Sequence, residues 1–218
     1  MKNLFRLLSL VGCLIFVSCG GDIKISIFTR DLSDVVSSKE NVIYTKVNMI
    51  VEGLEDESDI NFLRQNLNGF SNDRSVEYNY STSLSFDIKI PIFIEGTKID
   101  TSNDLLLIIG KKNGNKTDFC LKYNKELYNR INNYIYDKHW QNIELKNFKL
   151  KFDMNNDERK NSTITSFSSY INGKAYPFEH KEVLKERDDI VIEISEIFSK
   201  CISEMDNNMV YPVFSIEL

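Results

Sequence analysis

The chain has 218 residues, with 27 basic and 32 acidic side chains and a net charge of −5. An acidic chain gains nothing from counterion release on a nucleic acid, which excludes that partner class. The length allows one large domain or two small ones.

The chain opens with Lys2 and Arg6, then an apolar run from Leu7 to Val17, then Ser18-Cys19-Gly20-Gly21. The run is too short to span a bilayer as a helix and has the layout of a secretory signal. A small residue before a cysteine is the pattern of bacterial lipoprotein processing. Cleavage between Ser18 and Cys19 is expected, with acylation of Cys19 by diacylglycerol and palmitate-like chains. Cys13 competes, but cleavage there leaves only about six apolar residues after Arg6, below the usual 7–15. The expected organisation is a signal peptide at 1–18 and a single lipid-anchored domain at 19–218. If that domain divides, two subdomains meet near 96–104. Removing 1–18 removes Lys2 and Arg6, leaving 25 basic against 32 acidic residues and a net charge of −7. Bulk attraction to an anionic bilayer is therefore not expected, and acyl chains must hold the protein. Gly20 and Gly21 stand where Asp would retain a lipoprotein in the inner membrane. The expected location is the outer membrane, facing the periplasm.

Beyond a short Gly-Gly tether, Ile23, Ile25 and Ile27 alternate as a strand, and residues 30–36 suggest one helical turn. Ile43, Thr45, Val47, Met49 and Val51 alternate again. Acid at 56–59, followed by Ile60, Leu63 and Leu67, predicts a helix over 57–68. From Val76 to Ile94 the period of two never breaks, and the opposite phase is polar. As one strand this run would be roughly 60 Å long, against a domain diameter near 43 Å. It must bend, bulge or project, and Pro91 marks an edge or a break. Tyr78 and Tyr80 lie on its apolar phase and are expected in the core. Residues 105–109 predict a central strand, Asn113-Gly114 a hairpin turn, and 118–123 the partner strand. Leu127, Ile131 and Ile135 mark a second helix over 125–138. Strands follow at 148–154, 163–171, 189–195 and 210–218, with Asn172-Gly173 as a hairpin signal. The expected fold class is α+β, a mainly antiparallel sheet with two principal helices.

Little of this points to chemistry. Asp153, Asn155 and Asp157 have the oxygen spacing that opens a calcium loop. Glu158 stands where Gly is needed, however, and Ile164 where a bidentate Glu is needed, so a polar turn is expected. His139 and His180 are the only imidazoles, and neither falls in a metal-binding spacing. No nucleophile elbow, phosphate loop or dinucleotide motif occurs. No catalytic residue, metal or cofactor is expected. Cys120 and Cys201 remain in an oxidising compartment, either bridged across a long loop or as two buried thiols. The charged clusters 157–160 and 185–189 read as hairpin ends or as a polar contact site for a partner.

Several segments of the chain look familiar. They are Thr29-Arg-Asp-Leu-Ser-Asp-Val35, Phe152-Asp-Met-Asn-Asn-Asp-Glu-Arg-Lys160, Tyr170-Ile-Asn-Gly-Lys-Ala-Tyr-Pro-Phe178 and Val183-Leu-Lys-Glu-Arg-Asp188. Together with the lipid-accepting cysteine, they resemble a family of uncharacterised bacterial lipoproteins, some carried by phages or other mobile elements. The resemblance implies architecture and location, with no assigned activity. The leading functional expectation is a non-enzymatic binding module at the cell envelope, with the bilayer and an envelope protein as partners. The alternatives are an envelope hydrolase with dispersed catalytic residues and a purely structural lipoprotein.

Overall fold

Ile23, Ile25 and Ile27 give β1 (Ser18–Phe28) one apolar face, which is buried, while Lys24 between them is exposed. The computed structural model describes residues 18–204 and 211–217, without the side chains of Ser18, Cys19 and Glu204. Cys13 and the rest of the expected signal up to Val17 lie outside the described residues. So do Val210 and Leu218, the ends of the last expected strand.

After β1 come α1 (Thr29–Val36), β2 (Val42–Glu52), α2 (Glu57–Asn66), β3 (Ser71–Tyr78) and β4 (Ser81–Ile94). Then follow β5 (Leu106–Asn113), β6 (Lys116–Tyr123), α3 (Lys125–His139), β7 (Asn142–Asn155) and β8 (Ser162–Ile171). The described chain ends with β9 (Lys174–Leu184), β10 (Asp189–Ile194), α4 (Glu196–Glu204) and β11 (Pro212–Glu217). The strands share one mixed sheet whose hydrogen bonds close on themselves. The circuit runs β7–β1–β2–β4–β5–β6–β11–β8–β10 and returns to β7. Strands β3 and β9 branch from β4 and β8. The circuit is a barrel, and its inward residues form one apolar core with Leu32 and Val35 of α1, Leu63 of α2 and Ile131 and Ile135 of α3. The segment near 96–104 connects β4 to β5, two neighbours in this sheet.

These observations correct the expected fold class. Strands make up 55% of the structure and helices 21%, so helices cover a barrel rather than share the core equally. The sheet is mixed. β1 pairs with β7 in parallel from Ser18↔Asn142 to Phe28↔Asn155, and β4 pairs with β5 in parallel at Ile92↔Ile108 to Ile94↔Gly110. The expectation failed because alternation reports burial on one face and carries no strand direction. On the wet face of the β1–β7 pair, Lys24 meets Asp153 at 2.8 Å, and Lys151 meets Asp22 at 3.3 Å. Among the described residues, four helices replace the expected two. α1 is longer than one turn, and α4 had no expectation.

The long alternating run solves its length problem by folding back. Asn79 and Tyr80 both take positive φ, 49° and 64°, and form a two-residue turn between β3 and β4. Tyr80 is thereby fully exposed, not in the core, and Tyr78 is half-buried. One edge of β4 serves two partners in succession, β3 along Ser81–Asp87 and β5 from Ile92. Pro91, with no N–H to donate, stands at the handover between them.

The ends of β1 and β7, the start of β8 and the β9–β10 turn meet at one end of the barrel around Asn156. Its side chain is fully buried. Its Oδ1 accepts from Thr29 Oγ1 at 2.7 Å and from the Glu158 N–H at 3.1 Å. Its Nδ2 donates to the carbonyls of Lys160 and Leu184 at 2.8 and 2.9 Å. Its backbone N–H donates to Asp188 O, and its carbonyl accepts from the Arg187 N–H. The three segments from the resemblance that hold Thr29, Asn156 and Leu184 thus converge on one fully bonded amide.

Replacing that amide by a carboxylate removes two buried bonds and turns charge toward two carbonyls. Asn156→Asp is expected to lower stability by about 3 kcal/mol, and Thr29→Val by about 1 kcal/mol, in urea unfolding. Wild-type stability in Asn156→Asp would remove the junction from the fold's essential contacts.

Candidate binding site

At the other end of the barrel, β1 and β7 begin side by side, Ser18 opposite Asn142 and Cys19 opposite Ile143. Gly20 and Gly21 do not form a tether. Both are buried within β1, and a Cβ on Gly21 would lie 1.9 Å from the Ile50 carbonyl oxygen and 2.7 Å from the Phe148 ring. Only glycine allows that approach. The Gly20 N–H donates to Glu52 Oε2 at 3.3 Å, and Glu52 Oε1 accepts from Asn79 Nδ2 at 2.9 Å. One carboxylate therefore ties the start of β1 to the β3–β4 turn.

Between the partners of Cys19 and Gly21, β7 bulges outward, since Ile143 pairs with the first and Phe148 with the second. Bulge residues Glu144, Leu145 and Lys146 line a cavity of about 310 Å³. Tyr123 at the end of β6, Lys125, Tyr128 and Asn129 of α3, and Ser203 of α4 complete it. α3 is held in place by its cap, where Asn124 Oδ1 accepts from the Leu127 N–H, and by the buried stripe Leu127, Ile131 and Ile135. The Tyr128 hydroxyl donates to the Ile143 carbonyl. The Tyr123 hydroxyl is buried and has no hydrogen-bond partner, and burial, then Tyr128, pushes its pKa up. A cavity of this size is at the lower end of small-ligand sites, and exposed Lys125, Asn129 and Lys146 give it polar rim groups, while the Tyr123 oxygen is closed off from it.

The chemistry-bearing residues singled out in the sequence do not gather there. His139 Nε2 lies 2.8 Å from Asp59 Oδ2, where α3 ends against α2. Asp56, Asp59 and His139 are close enough to hold a metal ion, but Lys138 Nζ already sits 2.9 Å from Asp56 and 2.6 Å from Asp59. The ammonium supplies the cation, and partial burial opposes its charge less than the two carboxylates favour it. His180 stacks on Tyr176 with centroids 3.7 Å apart and faces Glu182 at 3.2 Å. The three oxygen donors of the calcium-like spacing do not converge. Asp153 pairs with Lys24 and Asp157 with Arg30. The clusters 157–160 and 185–189 do come together, at the Asn156 junction. Nearby, burial, then Asp157 and Asp34, raises the Asp31 pKa.

The structure does not contain the disulfide weighed between Cys120 and Cys201. Both are free thiols, one buried in β6 and the other exposed on α4. Burial, then Asp118 and Glu95, pushes the Cys120 thiol up to about 12. No sequence signal marked the cavity, because its lining from β6, α3, β7 and α4 comes together only in the fold.

A family described as a domain of unknown function, DUF7424, matches residues 21–216, which run from within β1 to within β11. No curated protein matches the chain, and neither does any solved structure.

Two measurements follow from this geometry. Tyr123→Phe removes a buried hydroxyl that makes no bond, and is expected to raise stability by about 1 kcal/mol and the Tm by about 2–4 °C. A lower Tm would show that the hydroxyl has a partner. In the folded protein a maleimide should modify Cys201 and leave Cys120 untouched until denaturation, read by peptide mapping under non-reducing conditions. Protection of both thiols would restore the bridge.

Proposed function

The chain belongs to the DUF7424 family, and on that premise we propose that it is a bacterial lipoprotein, acylated at Cys19, whose barrel is a non-enzymatic binding module at the cell envelope. The lipidated residue lies in β1 itself, so the barrel is held against the outer membrane on its periplasmic side, without a spacer. The observation that carries the binding role is the cavity lined by Tyr123. It has the polar groups of Lys125, Asn129 and Lys146 at its rim, and it is bordered by the β7 bulge opposite Cys19 and Gly21. Both histidines are engaged in contacts that stabilise the fold, with Asp59 and with Tyr176 and Glu182. The proposed partners are therefore the bilayer and an envelope protein or ligand within reach of its surface. Carriage of such genes by phages or other mobile elements, as the sequence resemblance implies, fits a role in altering the envelope.

The test begins with the anchor. Cys19→Ala is expected to abolish metabolic labelling with palmitate and to move the protein out of the membrane fraction, or to stall its maturation. Undiminished labelling overturns the assignment. Crosslinking in cells from Lys146, at the rim of the cavity, should then capture a specific partner that the same crosslinker at Lys24 does not.

A further inference from the structure

The barrel end that carries Cys19 also displays aromatic side chains to solvent. β1 and β7 run parallel, so the residues before Asn142 leave the barrel at the end where Ser18 and Cys19 stand. Trp140 is two residues before Asn142 and 79% exposed. It caps α3 in the left-handed conformation, φ 58°, with its N–H on the Tyr136 carbonyl at 2.8 Å. For a bulky residue this backbone is strained by about 1–2 kcal/mol, and it turns a large ring outward, not into the core. Tyr136 is 40% exposed, with its ring centroid 6.3 Å from that of Trp140. β4 also starts at this end, because it and β1 both run antiparallel to β2. That places fully exposed Tyr80 on the same rim, held there by the Asn79–Glu52–Gly20 bonds.

We infer that Trp140, Tyr136 and Tyr80 form a membrane-docking face that seats the barrel in the interfacial layer of a phospholipid bilayer. The inference rests on the lipoprotein reading and adds an orientation to it. The occupant follows from the chain itself, since Cys19, the residue acylated on that reading, pairs with Ile143 at the start of β7 on this rim. Trp and Tyr have an apolar body and a polar tip, the combination that suits the headgroup boundary. Two residues of chain place Trp140 at most about 7 Å beyond Ser18, within the 5–10 Å that interfacial elements reach. Glu52 and exposed Glu55 lie at the same end. Exposed Lys125 and Lys146 are at that end too, so its acids and bases offset one another; docking uses aromatic burial, and neutral lipid suffices.

Trp140 is the only tryptophan in the chain, so its fluorescence reports this face alone. The full lipidated protein, purified from membranes, is reconstituted in phosphatidylcholine vesicles with and without chains brominated near the headgroup. Docking predicts a blue-shifted emission, roughly halved by the brominated lipid, and weak quenching by aqueous iodide. Tyr136→Ser and Tyr80→Ser, both at exposed positions, should reduce the lipid quenching while the protein still floats with vesicles. Flotation with Trp140 open to iodide and untouched by bromine overturns the docking face and leaves the anchor standing. Shielding from iodide without bromine quenching means that another protein copy covers the face, which also overturns it. Failure to float overturns the anchor, and the docking face with it.

Discussion

The barrel depends most on the parallel contact between β1 and β7. β1 is the strand through which both halves of the chain meet, with β2 on one edge and β7 on the other. The contact works only because two glycines let it. At Gly21 the Ile50 carbonyl and the Phe148 ring approach closer than any Cβ would allow. With this seam in place, Ile25 and Ile27 lie beside Phe152 and Met154 on the core face of the sheet, and Lys24 and Lys151 pair with Asp153 and Asp22 on the other face. Without it the β1–β2–β4 unit and the β7–β10 unit would each expose an unpaired edge, the arrangement that sheet proteins avoid.

The opposite closure is made differently, and the cavity follows from it. β10 and β11 occupy successive stretches of the same edge of β8, at Ile171–Ser169 and at Ser166–Thr163. The Ser195 N–H bonds to the Ser168 carbonyl between them. They act as two halves of one strand, interrupted by the excursion through α4. On its far side β10 pairs with β7 and β11 with β6. β6 and β7 are thus held by different halves, and α4 lies over both, with Ser199 Oγ reaching the Phe148 carbonyl at 3.5 Å. The concavity lined by Tyr123, Tyr128 and the β7 bulge is what this divergence leaves open.

Local patterns in the sequence were readable where neighbours in the chain decide the structure. The Ile23–Ile27 alternation, the α3 stripe and the glycine turns at Gly114 and Gly173 each follow from a few adjacent residues. Strand direction was not readable, because Ile23 alternates with Lys24 in the same way beside a parallel or an antiparallel neighbour. The Asn79-Tyr80 turn was hidden because Tyr at positive φ contradicts turn preferences, and the bond of Asn79 to Glu52 that helps hold it is remote in sequence. Asn156 was visible as a turn residue. Its burial and its six bonds depend on Thr29 and Leu184, which local spacing cannot bring near.

The β1–β7 seam also sets an order of assembly. Ile23 pairs with Leu150, so the first strand finds its second neighbour only after most of the chain is available. Contacts of such sequence separation carry a large loop-closure penalty and slow folding. A chain emerging with its N-terminus first would form the local β1–β2 and β2–β4 pairs early, leaving one long edge of β1 open. Under the proposed acylation of Cys19, that open edge starts beside the attachment point, where fewer directions of approach are available to a stray strand. Attachment at Cys19, near the start of β1, would then restrict mispairing until β7 arrives.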